Sequence, residues 1–243
     1  MSQEERLYHE LAKYYDQIYY WKDYESESVK IKKLIQKHKR SSGNALLDVA
    51  CGTGKHLQHL VDDFDCVGVD ISEEMLQRAR KNVPEAKLVK GNMEDFDLAR
   101  RFDVVICLFS SIGYLRTRTE VRLALSNFTH HLKGGGVLIV EPWFRESEWE
   151  DRSVHLRTFE GKSLKIARVS FARKVGMLSV MDERFLIAEE GRGITYVKDH
   201  QRMRLFELEW TLEVMRRLGL KASFTEEGLM PGRGLLIATR SQE

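Results

Sequence analysis

Apolar positions recur every three to four residues along the first forty. Tyr8, Leu11, Tyr15 and Ile18 share a face and predict a helix over 3–19, and Ile31, Leu34 and Ile35 predict a second over 24–39. The cations around the second stripe, from Lys30 to Arg40, read as a solvated face, with phosphate binding as the alternative. From Asn44 short apolar runs alternate with amphipathic stretches. Strands are predicted at 44–50, 65–70, 86–90, 102–108 and 136–141, with helices at 54–63, 72–82 and 118–132 between them. Runs such as "FDVVICLF" are apolar on consecutive residues, as when helices cover both faces of a parallel sheet. "KGGG" at 133–136 is expected to stop the last helix. The expected class is α/β, a Rossmann-like, doubly wound, mostly parallel sheet.

After Trp149 the period becomes two. Segments 153–160, 163–173, 176–188 and 193–205 alternate, with turn signals "EGKS", "RKVG" and "EEGRG", and predict an antiparallel meander. "ELEWTLEVMRRLGL" then returns to helix and "LLIATR" supplies a last strand. The chain reads as a single domain over 1–243, with 1–40 a helical N-terminal cap and 150–206 an antiparallel strand insertion.

Composition narrows the partners. Lysine plus arginine (39) nearly balance aspartate plus glutamate (37), which gives nucleic acid or an anionic membrane no electrostatic support. No apolar run approaches a membrane span, and the start "MSQEERLYHE" is charged where a signal peptide would be apolar, so a cytoplasmic protein is expected. Cys51, Cys66 and Cys107 lack C-x-x-C spacing and read as reduced thiols; no metal site is expected.

The chemistry concentrates in "ALLDVACGTGKHL", residues 45–57. Gly52 and Gly54 follow a strand as in a dinucleotide fingerprint, but Leu57 takes the third glycine's place and Asp48 closes the strand. A carboxylate there repels a pyrophosphate and attracts an ammonium group. S-adenosylmethionine, which is cationic and has no phosphate, suits D-x-A-x-G-x-G, with Asp48, Ala50, Gly52 and Gly54 about it. Asp70, 22 residues on, ends the second strand and is placed to accept ribose hydroxyls, the alternative being an acid before the helix that Ser72 caps. Ile71 and Met75 would flank the adenine, and Asn92 and Met93 would meet its amino edge. The first residues of "CLFSSIGYL", Cys107 to Ser110 with Leu108 among them, would line the crevice beyond the strand ends.

"LLDVACGTG", "GVDIS" and "GNMEDF" together resemble the class I S-adenosylmethionine-dependent methyltransferases. "DVACGTGKHL", "FSSIGYL", "VEPWF", "PGRGLL" and the strand-rich insertion are similar to the N-methyltransferases that dimethylate nucleotide-linked amino sugars in macrolide biosynthesis, from about Tyr14 to Thr239. The resemblance implies that Tyr15 reaches the cofactor carboxylate and that the insertion builds a homodimer and closes over a small-molecule substrate. It implies substrate contacts from Ser111, Glu141, Trp143 and Arg233, each of which also has a packing alternative; an arginine between glycines suits a phosphate. It also implies a histidine after "FSSIG", where this chain has Tyr114. Tyr114 and Tyr8 are the candidate catalytic residues. A phenol, with a pKa near ~10, orients an amine better than it removes a proton. The alternatives are a regulatory cofactor-binding subunit and an RNA methyltransferase, although "CLFSSIGYL" lacks the polar-Pro-Pro-aromatic loop of base amino-group enzymes.

Overall fold

A computed structural model describes residues 5–242. Its main sheet has seven strands in the order β10-β11-β5-β4-β1-β2-β3. These are β1 (Ala45–Val49), β2 (Asp65–Asp70), β3 (Lys87–Lys90), β4 (Phe102–Cys107), β5 (Leu132–Val140), β10 (Leu220–Thr225) and β11 (Leu235–Arg240). Only β11 runs against its neighbours, pairing antiparallel with β5 and β10. Every residue of β1 and β4 is buried, and apolar side chains pack on both faces of the sheet, as the consecutive apolar runs require. Strand order reverses between β1 and β4, which opens a crevice at their carboxyl ends.

Helices α2 (Tyr24–His38), α3 (Glu73–Asn82), α4 (Arg118–His130) and α5 (Leu208–Arg217) lie where the periodicity places them. Their starts are chemically marked. Asp23 and Ser72 cap α2 and α3, and Thr117 with Glu120 forms a reciprocal capping box on α4. The meander forms a separate antiparallel sheet, β6 (Val154–Glu160), β7 (Leu164–Val175), β8 (Leu178–Glu189) and β9 (Gly193–Arg204).

Several local expectations are corrected. The described part of 3–19 is broken into turns at Arg6–Tyr8 and Ala12–Tyr14 and a one-turn helix, α1 (Tyr15–Ile18). Leu7, Leu11, Ala12, Tyr14, Tyr15 and Ile18 are all buried, and one straight helix cannot turn so wide a set of side chains inward. Residues 54–63 hold a single short turn, Leu57–His59, rather than a full helix; Asp62 and Asp63 crowd acid onto what would be its negative end. "KGGG" does not stop α4, which has ended at His130, but starts β5, where Gly135 at φ 73° and a register shift opposite Phe102 and Val104 give an irregular start. The β7–β8 turn centres on Gly176 and Met177, later than "RKVG" suggests. Strand β10 escaped the hydrophobic pattern, because Lys221 and Ser223 interrupt a short segment that lies at the sheet's edge.

Candidate functional site

At the carboxyl ends of β1, β2 and β4 lies a cavity of about 270 Å³. Asp48, Ala50, Gly52, Asp70, Ile71, Met75, Asn92, Met93, Leu108 and Ser111, together with Tyr8, Tyr15 and Tyr114, all line it. Segments more than sixty residues apart in sequence therefore meet as expected. Gly54 stands just behind the wall; a Cβ on it would come within 2.8 Å of Val83 Cγ1, so glycine lets the loop lie against α3. Ala50 also takes the left-handed conformation, at φ 59°, which is strained for a residue with a side chain.

The two acids differ in their partners. Asp70 accepts the backbone N–H of Gly52 at 2.8 Å with one oxygen and that of Ser72 at 2.9 Å with the other. Its remaining lone pairs are free for a diol, while Ser72 makes the helix cap with the N–H of Met75. Asp48 is 2% exposed and has no hydrogen-bond partner among the described residues. Burial, and secondarily the charge of Asp70, pushes its carboxyl well above the usual range. An isolated buried carboxylate costs on the order of several kcal/mol, which a cationic ligand offsets. A bare acid beside an acid with spare acceptors thus fits the ammonium and ribose of S-adenosylmethionine. Ile71, 64% exposed, stands at the rim, and Met75, 1% exposed, lies beneath. Asn92 is turned toward Glu94, bonding its main chain and carboxylate at 3.3 Å.

The cavity's cover is aromatic. Tyr15 packs on Tyr8 and Tyr19 with ring centroids 5.9 and 4.7 Å away. Tyr8 and Tyr114 hydroxyls are 2.6 Å apart, and Tyr114 donates to Gln201 Oε1 at 2.8 Å. Burial raises both phenols well above their ordinary range, so they remain protonated. Ser72 donates to the Tyr8 carbonyl at 2.6 Å, tying this cover to α3.

Glu141, Trp143 and Arg233 are not among the residues lining this cavity. They gather behind Phe109. Glu141 is fully buried and accepts the backbone N–H groups of Phe109 at 2.7 Å and Met230 at 3.2 Å. Trp143 donates its indole N–H to Ser179 at 2.8 Å. The Arg233 guanidinium stacks over Trp143, Phe144 and Phe109 at 4.6, 5.2 and 5.5 Å, and its buried Nε and Nη1 find no hydrogen-bond acceptor. Lys22, its side chain fully buried, also sits over the Phe109 ring, at 4.3 Å, and pairs with Glu27, which bonds His56 at 2.7 Å.

Sequence reading overlooked Tyr24 and His56, which line the cavity, and the Lys22–Glu27 pair; of the expected run Cys107 to Ser110, Leu108 and Phe109 line the cavity, while Cys107 and Ser110 are fully buried and are not among its lining residues. His56 had a signal, two residues after Gly54. Gln201 had none, since it occupies an ordinary inward position of an alternating strand.

Comparison with known proteins decides the family. The chain is 37% identical over 217 residues to the dTDP-3-amino-3,4,6-trideoxy-alpha-D-glucopyranose N,N-dimethyltransferase of Streptomyces venezuelae, covering 89% of this chain and 91% of the relative. The chain belongs to the S-adenosylmethionine-dependent methyltransferases. A family profile described as a methyltransferase domain matches residues 46–136 of this methyltransferase. The crystal structure of Streptomyces venezuelae DesVI superposes with a TM-score of 0.89 at 36% identity, over 95% of this chain and 98% of the other. A second structure, of a SAM-bound amino pentose methyltransferase from Micromonospora echinaspora involved in calicheamicin biosynthesis, gives 0.82 at 32% identity over 90% and 92%. The methyltransferase is thus an enzyme with S-adenosylmethionine as its cofactor.

Proposed function

We propose that this enzyme methylates the amino group of a nucleotide-linked amino sugar, with Asp48, Asp70 and Tyr15 holding the cofactor and Tyr8 and Tyr114 receiving the amine. The observation that carries the reading is that one cavity joins the bare Asp48 carboxylate to the paired tyrosine hydroxyls. Ala50, Gly52 and Gly54 shape the loop, Ile71 and Met75 flank the adenine, Asn92 and Met93 meet its edge, and Leu108 and Ser111 close the floor. When bound, S-adenosylmethionine supplies a methyl group on a cationic sulfur. The protein's part is to hold the amine in line with that methyl, to accept its N–H bonds so that the nitrogen lone pair points forward, and to exclude water beneath the aromatic cover. No residue need take a proton before transfer from an amine that arrives neutral; the methylammonium that forms releases its proton to water once the product leaves the cavity, which restores the lone pair for a second transfer. Arg233, braced by Glu141 and Trp143, receives the anionic diphosphate, since its buried unpartnered nitrogens lack an acceptor.

The outer face of the meander presents Val154, Leu156, Val169, Leu186, Ile194 and Tyr196, all more than half exposed. Such an apolar sheet face supports a homodimer built on the 150–206 insertion. The described part of the 1–40 segment caps the site through Tyr8 and Tyr15, and the enzyme works in the cytoplasm. Val169→Glu is expected to give monomers by sedimentation velocity, and an unchanged dimer would remove this face from the interface.

The test of function is methyl transfer to dTDP-3-amino-3,4,6-trideoxy-alpha-D-glucopyranose followed by mass spectrometry. Mass gains of one and then two methyl groups are expected. No gain on this sugar nucleotide or on its 4-amino isomers would sink the reading.

A further inference from the structure

The hydroxyl pair ends a longer chain of hydrogen bonds whose direction is fixed at its buried end. Gln201, 4% exposed on β9, donates from Nε2 to Asp199 Oδ2 at 3.1 Å and to Glu183 Oε2 at 3.2 Å. Asp199 takes the backbone N–H of Arg6 at 2.7 Å on its other oxygen, and Glu183 faces Arg168 at 3.7 Å. Asp199, 1% exposed, accepts at both of its oxygens, so the amide is held against turning over: its carbonyl oxygen would then confront Asp199 Oδ2 and that hydrogen bond would be lost. Oε1 of Gln201 must therefore point the other way, where it accepts from Tyr114. Having one proton and giving it to Gln201, Tyr114 can meet Tyr8 only as an acceptor, and Tyr8 must donate across the 2.6 Å contact. Tyr8 Oη has no other partner among the described residues and reaches the cavity with lone pairs only.

We infer that Gln201 is a positioning residue: anchored by Asp199 and Glu183, it orders the hydroxyl protons of Tyr114 and Tyr8 so that this pair presents acceptors, and no O–H donor of its own, to the N–H bonds of the incoming amine. A donor there would bond the nitrogen lone pair that has to attack the methyl group. This rests on the amine-facing role proposed for the two tyrosines, and the experiment separates the two.

Neutron diffraction from deuterium-exchanged wild-type enzyme tests the direction without any substrate. Deuterons are expected on Tyr114 toward Gln201 and on Tyr8 toward Tyr114; a deuteron on Tyr114 pointing at Tyr8, or a reversed amide, overturns the inference. Kinetics with dTDP-3-amino-3,4,6-trideoxy-alpha-D-glucopyranose add the function. Gln201→Leu removes the acceptor and is expected to lower kcat about ten-fold with the cofactor KM unchanged. Gln201→His, whose neutral ring keeps one donor and one acceptor, restores kcat to within about three-fold. Equal losses in both variants, while Tyr114→Phe and Tyr8→Phe also lose rate, overturn the role of Gln201. Unchanged rates in both phenylalanine variants sink the amine-facing reading instead, and leave the neutron result to decide the proton order.

Discussion

Phe109 has different chemistry on its two sides. Toward the sheet crevice lie Asp48 and Asp70, and the nearer of these to the β1 end, Asp48, has no partner. Over the Phe109 ring sit Lys22 and Arg233, of which Lys22 is paired and Arg233 leaves two nitrogens unbonded. Burial of an unmatched group is unfavourable on either side, and it is on this that the proposed cofactor and diphosphate positions rest. The comparison teaches that uncompensated charges of opposite sign can be kept in neighbouring parts of one fold. Phe109 borders both parts, lining the cavity while its ring lies under Lys22 and Arg233, and is held at φ 50° in a conformation that a bulky side chain seldom adopts.

Removing the acid should have the largest effect. Asp48→Asn keeps the shape and is expected to weaken S-adenosylmethionine binding by about 100-fold in calorimetry, because a buried charge pair loses one member. Sugar-nucleotide affinity should hardly change, and a matching loss there would mean that the two sides are not separate. Next, Arg233→Gln is expected to weaken sugar-nucleotide binding about ten-fold and leave cofactor affinity intact. A loss confined to the cofactor would reverse the assignment of the two sides.

The last comparison concerns stability and not binding. Burial raises Glu183 from 4.5 to about 7, more than Arg168 lowers it. The folded protein then keeps a proton that the unfolded chain has released, so this residue costs nothing below about 4.5 and destabilises progressively as the pH rises to about 7. Glu183→Gln should remove that slope. The difference in Tm between variant and parent, measured from about pH 5 to about pH 8, is expected to grow with pH and then level off. A constant difference would show that Glu183 has no raised proton affinity.

The parts legible in the sequence were those that a local rule governs. Consecutive apolar residues announced β1, β2 and β4, and alternation announced the meander. Asp48 and the glycines could be read because they sit on one strand end and the turn that leaves it, and Asp70 because it ends the adjacent parallel strand. What escaped depends on contacts between distant segments. The break at His9 follows from burying two sides of one segment, and Gln201 matters only because β9 passes Tyr114. Arg233 was legible as a residue type in "PGRG" but not as a neighbour of Lys22, 211 positions earlier.

The single reversed strand has a practical side. In a parallel sheet the loops that leave the strands reach the ligand rim; β11 runs backwards, so the loop before it, carrying Met230 and Arg233, arrives there instead. Its far end lies at the opposite rim, where Arg240 bonds the carbonyls of Thr129 and Leu132, and Gln242 bonds that of Arg40. A label placed on Gln242 would therefore sit at the rim opposite the cavity, and the enzyme could be immobilised through it with that cavity facing outward.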